Sequence, residues 1–153
     1  MIELETFKLE LINYENIKHL DFLKKLMQSK DINYLWDLTD RELSNNQNSG
    51  KYIIKNEENN FIGYINISNP TEAFYGNTVS LYYAVEETYR GKEYGRKAIQ
   101  EVSSWLFDEK NIECIIMQVD VNNRYSINTL AKAGMLEVNN DEEYTTFIQR
   151  KNR

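Results

Sequence analysis

The chain has 153 residues, 41% of them hydrophobic and 27% charged, with a net charge of -6. That composition suits one globular domain, residues 1–153, with a substantial core, and it argues against a general nucleic-acid binder. Apolar runs are short, as at Ile115-Ile116-Met117, and the opening MIELETFKLE lacks the basic and apolar stretches of a leader, so a soluble, unexported protein without membrane contact is expected. A lone cysteine, Cys114, excludes an intramolecular disulfide and fits a reducing compartment, the cytoplasm. One histidine, His19, leaves no His/Cys cluster for zinc and little basis for a Ser/His/Asp triad; it reads as a surface or packing residue.

Residues 4–11 alternate as a strand, and Ile17, Leu20, Leu23 and Met27 recur as the stripe of an amphipathic helix. A weaker helical pattern over 35–43 runs into the loop-forming SNNQNSG. The β-rich runs 51–55 and 61–67 are separated by acidic and Asn residues, which predicts a hairpin. After the Asn69-Pro70 break comes a strand at 78–85. Then Tyr94, Ala98, Ile99, Val102, Trp105 and Leu106 mark one face of a helix reaching about Lys110. Residues 114–121 read as a buried strand, 126–133 as a helix stopped by Gly134, and 144–150 as a closing strand. The expected order is β-α-α-β-β-β-α-β-α-β-β.

Between the strand at 78–85 and the long helix lies RGKEYGRK, Arg90 to Lys97, with four cations and one carboxylate in an acidic chain. A helix start has backbone N–H groups without intrahelical partners and a partial positive charge, so it favours an anion. Gly91 and Gly95 allow a phosphate close to the backbone, and Arg90, Lys92, Arg96 and Lys97 add charge. A solvated basic face is the plainer account of the same residues. Neither the P-loop nor the G-x-G-x-x-G fingerprint is present.

The longer strings LYYAVEETYRGKEYGRKAI, from Leu81 to Ile99, and NRYSINTLAKAGM, from Asn123 to Met135, resemble the GNAT superfamily of acyl-CoA-dependent N-acyltransferases. Within it they are most similar to the branch that includes ribosomal-protein N-terminal acetyltransferases. The resemblance implies an α/β fold of GNAT type: a mixed, mostly antiparallel twisted sheet flanked by helices and splayed at the cofactor site. It implies acetyl-CoA as acyl donor, without a metal. Arg90, Gly91, Lys92, Glu93, Tyr94, Gly95 and Arg96 match the pyrophosphate loop, and Tyr83 and Val85 match the strand end that pairs with pantetheine. Asn123 and Ser126 match an N-x-x-S along the cofactor, and Lys132 begins the K-x-G-M that closes the helix.

Two positions depart from the family pattern. Glu93 stands where a middle glycine is usual. A like-charge pair at about 4 Å in water costs roughly 1 kcal/mol, close to the ~0.3–1 kcal/mol that a carboxylate gains at a helix start, so the two effects nearly cancel. Read as helical, Glu93 would lose up to ~1 kcal/mol of stability on replacement by glycine. Leu130 occupies the place of a tyrosine that protonates the leaving thiolate, which makes Ser126 the candidate acid by analogy with that branch; its plainer role is a helix cap or cofactor hydrogen bond.

No carboxylate lies within 78–85, and Glu72, Glu86 and Glu87, which flank it, read as solvated. The expected acceptor is a small-molecule or peptide amine, with an α-amino group favoured by the missing base. An inactive acyl-CoA-binding module and a phosphate-binding structural domain are the alternatives. The oligomeric state is open, a homodimer included.

Overall fold

The computed structural model of the chain describes residues 1–28, 50–68 and 76–152. The helical pattern expected over 35–43 and the Asn69-Pro70 break lie outside them. In chain order the described elements are β1 (Ile2–Glu3), β2 (Lys8–Leu11), α1 (Ile17–Met27), β3 (Lys51–Lys55), β4 (Phe61–Ser68) and β5 (Thr78–Val85), then α2 (Tyr94–Glu109), β6 (Cys114–Asp120), α3 (Arg124–Lys132), β7 (Leu136–Asn140) and β8 (Tyr144–Arg150). The strands form an eight-stranded sheet in the order β1-β2-β3-β4-β5-β6-β8-β7. The described registers are antiparallel except for β5 with β6, which is parallel. The mixed, mostly antiparallel sheet is therefore the one expected, and three of the four expected helices are among the described elements.

The chain divides into two compact units, Met1–Asn66 with Tyr83–Tyr94, and Ile67–Tyr82 with Gly95–Arg153. In the first, the stretch expected as one strand over 4–11 is a small hairpin, because the chain turns between Leu4 and Phe7, whose backbone N–H and C=O meet at 2.9 Å. Asn16 starts α1 by accepting from the amides of Lys18 and His19, and Lys24 and Lys25 complement the carbonyl end of its last turn. The buried face of α1 is not the expected stripe. His19, Phe22, Leu23 and Leu26 point inward, while Ile17 is 71% exposed. A buried histidine turns the stripe: its Nε2 lies 2.8 Å from Glu10 Oε2, and its Nδ1 accepts from the Asn13 amide at 3.0 Å. His19 is thus a packing residue.

The β3–β4 hairpin is turned by Asn56, whose side-chain oxygen accepts from the amides of Glu58 and Asn60, with Asn59 in the left-handed region at φ 64°. Gly63 lies within β4 where a built Cβ would stand 2.4 Å from the Ala84 carbonyl oxygen of β5. Glycine there lets the two backbones approach closely.

In the second unit, α2 buries Gly95, Ala98, Ile99, Val102, Ser103, Leu106 and Phe107, close to the expected face, and Trp105 is half-buried beneath Lys110 Nζ. β6 carries the buried run Cys114–Met117, and Cys114, Ile116 and Ile148 pack as a cluster. Burial pushes the Cys114 thiol above its ordinary range, opposed by the charge of Arg150. The helix α3 ends as expected before Gly134, at φ 90°. No helix among the described residues is long and apolar enough to cross a membrane.

Candidate active site

β5 and β6 pair as Thr78↔Cys114, Val79↔Ile115 and Ser80↔Ile116. Beyond that last pair β5 continues through Val85, while β6 stays paired with β8 to Asp120↔Tyr144. The parallel ladder therefore stops well before β5 does. Tyr83 and Val85 lie in this extension, both buried.

At the end of β5 the chain makes a short 3-10 turn, Glu87–Tyr89, and enters the basic loop. Glu86 governs this transition. Its amide donates to the Ile62 carbonyl of β4 at 2.8 Å, and its own carbonyl accepts from the Tyr89 amide at 2.9 Å. Oε2 of its carboxylate accepts from the Thr88 amide at 3.1 Å and from the Thr88 hydroxyl. Oε1 faces Lys25 Nζ at 3.6 Å. Glu86 is 5% exposed, so the expectation of a solvated carboxylate is corrected: it caps the turn, and a cation from α1 stands against it. Glu87 is exposed, as expected, and Glu72 lies outside the described residues.

The loop's conformation comes from two left-handed residues, Gly91 at φ 81° and Glu93 at φ 63°. A Cβ built on Gly91 would meet nothing within 4 Å, so its glycine answers a backbone demand and not a lack of space. Glu93 meets the same demand with a side chain, and it precedes α2, which begins at Tyr94. The helical reading of Glu93 is therefore corrected, and with it the ground for a stability cost of glycine there. A left-handed L-residue costs roughly 1–2 kcal/mol, partly offset by the chain entropy of glycine, so Glu93→Gly is expected to stabilise by about 1 kcal/mol and to raise Tm by roughly 2–4 °C. A lower melting temperature would show that the Glu93 side chain makes a contact worth more than the strain.

The four cations of the stretch have different surroundings. Arg90 turns back so that its Nε donates to the Val85 carbonyl at 2.9 Å. Lys92 Nζ lies 5.8 Å from the centre of the Tyr89 ring. Arg96 Nη1 donates to Gln100 Oε1 at 3.1 Å, and Lys97 is exposed. Tyr94 meets both Tyr89 and Phe7 edge-on, with ring centres 5.7 and 6.0 Å apart, so aromatic contacts hold the loop to the buried Phe7. Gly95 is buried in the first turn of α2. Arg90 and Lys92 thus lie on one loop shaped by two left-handed residues, and the chain continues from it into α2, a sequence of charge and backbone suited to an anion.

The second motif forms the start of α3. Asn123 is the N-cap and accepts from the Ser126 amide at 3.2 Å. Ser126 is 7% exposed and is not itself the cap. Leu130 is wholly buried, so the side chain in the place of the family's tyrosine is a core residue. Lys132, exposed in the last turn, stands roughly 9 Å along the axis from Ser126 at about 1.5 Å per residue, and complements the carbonyl end of the helix. Asn123 and Ser126 are thus brought together, and Lys132 is held apart from them. Glu86 was the residue whose importance composition hid; its signal was a carboxylate two residues before a threonine at the end of an apolar strand.

A sequence model of the Acetyltransferase (GNAT) family matches residues 14–135. Curated proteins give no sequence match. Among solved structures, the chain is similar to an acetyltransferase (GNAT family) from Bacillus anthracis, at 16% identity and a TM-score of 0.76 over 98% of each chain. An aminoglycoside acetyltransferase in complex with coenzyme A matches at 17% identity, TM-score 0.74, over 95% of each chain. The spermidine N-acetyltransferase from Vibrio cholerae in complex with CoA and spermine matches at 13% identity, TM-score 0.73, over 95% of this chain and 96% of that one. At such identities the structural likeness is one of fold. The family match spans both motifs and the loop they define, and the chain belongs to the GNAT acetyltransferase family.

Proposed function

We propose that this chain, as one acetyltransferase domain, transfers an acetyl group from acetyl-CoA directly to an amine. The observation that carries this is the loop from Arg90 to Arg96, set by two left-handed residues and opening onto α2. These residues fit a CoA diphosphate in charge and in backbone approach. Arg90, Gly91, Lys92, Glu93, Tyr94, Gly95 and Arg96 would hold it, and the backbone of Tyr83 and Val85 would align the pantetheine arm. Asn123 and Ser126 would lie along the cofactor, with Lys132 at the far end of their helix. The bound thioester supplies the activated acyl group. The backbone amide of Ser126 donates to the Asn123 side-chain oxygen, and the Ser126 hydroxyl is the candidate donor of the proton that the departing sulfur needs. A reducing, cytoplasmic setting suits the buried Cys114 thiol.

An amine must be neutral to attack. At about pH 7.5, deprotonating a lysine-like amine costs roughly 4 kcal/mol, against well under ~1 kcal/mol for an α-amino group. β5 offers the hydroxyls of Thr78, Ser80, Tyr82 and Tyr83 and no carboxylate, and the Glu86 carboxylate serves as a cap. We therefore favour an α-amino group of a peptide, protein or small molecule, as in the ribosomal-protein N-terminal acetyltransferase branch. Relatives solved with kanamycin and with spermine make aminoglycosides and polyamines the competing acceptors, and a net charge of -6 would attract any of these cations.

The test is acetyl-CoA-dependent mass gain across peptides, amino acids, polyamines and aminoglycosides, with kcat/KM compared from about pH 6.5 to 9.5 for α- and ε-amines. Faster acetylation of α-amines at neutral pH is expected. A preference for polyamines or lysine side chains at pH 7, without a steep alkaline rise, would overturn it and point to a base not yet identified. On the preferred acceptor, Ser126→Ala should lower kcat more than it raises KM for acetyl-CoA; the reverse would make Ser126 a binding residue. Binding of acetyl-CoA with no turnover on any amine would favour an inactive CoA-binding module, a reading to which the wholly buried Leu130 also leans.

A further inference from the structure

Glu86 commits all of its polar groups at one point: backbone N–H to β4, backbone C=O to Tyr89, one carboxylate oxygen to Thr88 and the other to Lys25. A carboxylate buried to this degree is uncommon without pairing. It sits immediately before the residues that shape the basic loop, and the Val85 carbonyl on its other side is the acceptor for Arg90 Nε. The cap on the 3-10 turn fixes where Tyr89 and Arg90 leave β5, and the Arg90 contact closes the loop back on the strand. Lys25 supplies opposite charge from the last turn of α1, itself 62% exposed at its side chain.

We propose that Glu86 is a positioning residue for cofactor binding, acting through Thr88 and Arg90, with Lys25 as its counter-charge. The inference rests on the CoA reading of the loop. It assigns Glu86 no proton transfer, because both carboxylate oxygens are already engaged within the turn and with α1.

The experiment is calorimetric titration of CoA into the wild-type chain, Glu86→Ala, Glu86→Gln, Thr88→Val, Arg90→Ala and the double variant Glu86→Ala/Arg90→Ala, with kcat and its pH profile on the best acceptor. Glu86→Ala should raise the CoA Kd roughly tenfold and Thr88→Val roughly threefold, with kcat at saturating acetyl-CoA held within about threefold. Glutamine can still accept from the Thr88 amide, so Glu86→Gln should stay within about threefold of wild type and keep the pH profile. On an Arg90→Ala background the Glu86→Ala change should add less than about twofold, since both act through one loop. Thr88 is exposed, so Thr88→Val carries the test if Glu86→Ala does not fold. Wild-type affinity in Thr88→Val and Glu86→Ala, or full additivity with Arg90→Ala, overturns the proposal while the CoA reading stands. Loss of kcat in Glu86→Gln with its ionisation limb gone overturns it in favour of a base. Failure of the wild-type chain to bind CoA removes the functional reading and this inference together.

Discussion

Arg90→Ala and Arg96→Ala are each expected to weaken acetyl-CoA binding by about 1–3 kcal/mol, the range for a charge-assisted hydrogen bond. The two should not be equal. Arg90 both brings charge to the loop and ties it to Val85, so its loss removes a ligand and loosens the loop. Arg96 stands in the first turn of α2 against Gln100, and its removal should leave the backbone unchanged. Arg90→Lys separates the two contributions at position 90, since it keeps the charge but lacks the planar guanidinium that reaches the Val85 carbonyl. An intermediate loss is expected. Calorimetry showing unchanged affinity in both alanine variants would remove the diphosphate assignment, and a loss insensitive to salt would show that charge is not the cause.

Gly63→Ala is expected to be strongly destabilising. The new Cβ would stand 2.4 Å from the Ala84 carbonyl oxygen and 3.4 Å from Val85 Cα, both backbone atoms that no rotamer change can move aside. Relief requires β4 and β5 to part at the point where the Glu86 amide reaches the Ile62 carbonyl. The cost should reach about 3 kcal/mol, the upper part of the usual overpacking range, and lower Tm by roughly 6–12 °C. CoA affinity should fall with it, because the loop is launched from the same junction. A variant melting within about a degree of wild type would mean that the close approach of β4 to β5 is not built into the fold.

Much of this architecture was legible because several segments state their periodicity without conflict. The strand at 78–85 was read with its observed bounds, and the face of α2 was marked by Tyr94, Ala98, Ile99, Val102 and Leu106, although not the residue at which the helix begins. The α1 face was misjudged because apolar residues alone defined it. A histidine satisfied by Glu10 and Asn13 can be buried where an isoleucine is not. The same limit hid Glu86, since its partner Lys25 is distant in sequence and only folding brings them together. Glu93 was read as helical, yet a position where the family usually has glycine already carries the signal of a left-handed backbone. Gly63, alone within a β-rich run, likewise signals a close neighbour.

Continuity of β5 has a consequence for biosynthesis. One compact unit takes Tyr83–Tyr94 and the other takes Ile67–Tyr82, so the boundary between them passes through a single strand. On a ribosome adding about 5–20 residues per second, Tyr83–Tyr94 emerges only after Ile67–Tyr82, so its contacts with Met1–Asn66 cannot form before then. No single cut in the polypeptide separates the two units intact: a fragment ending at Asn66 lacks Tyr83–Tyr94, and one beginning at Gly95 lacks Ile67–Tyr82. Two-piece complementation should therefore succeed only when both fragments are present during folding, with β5 contributed whole by one of them.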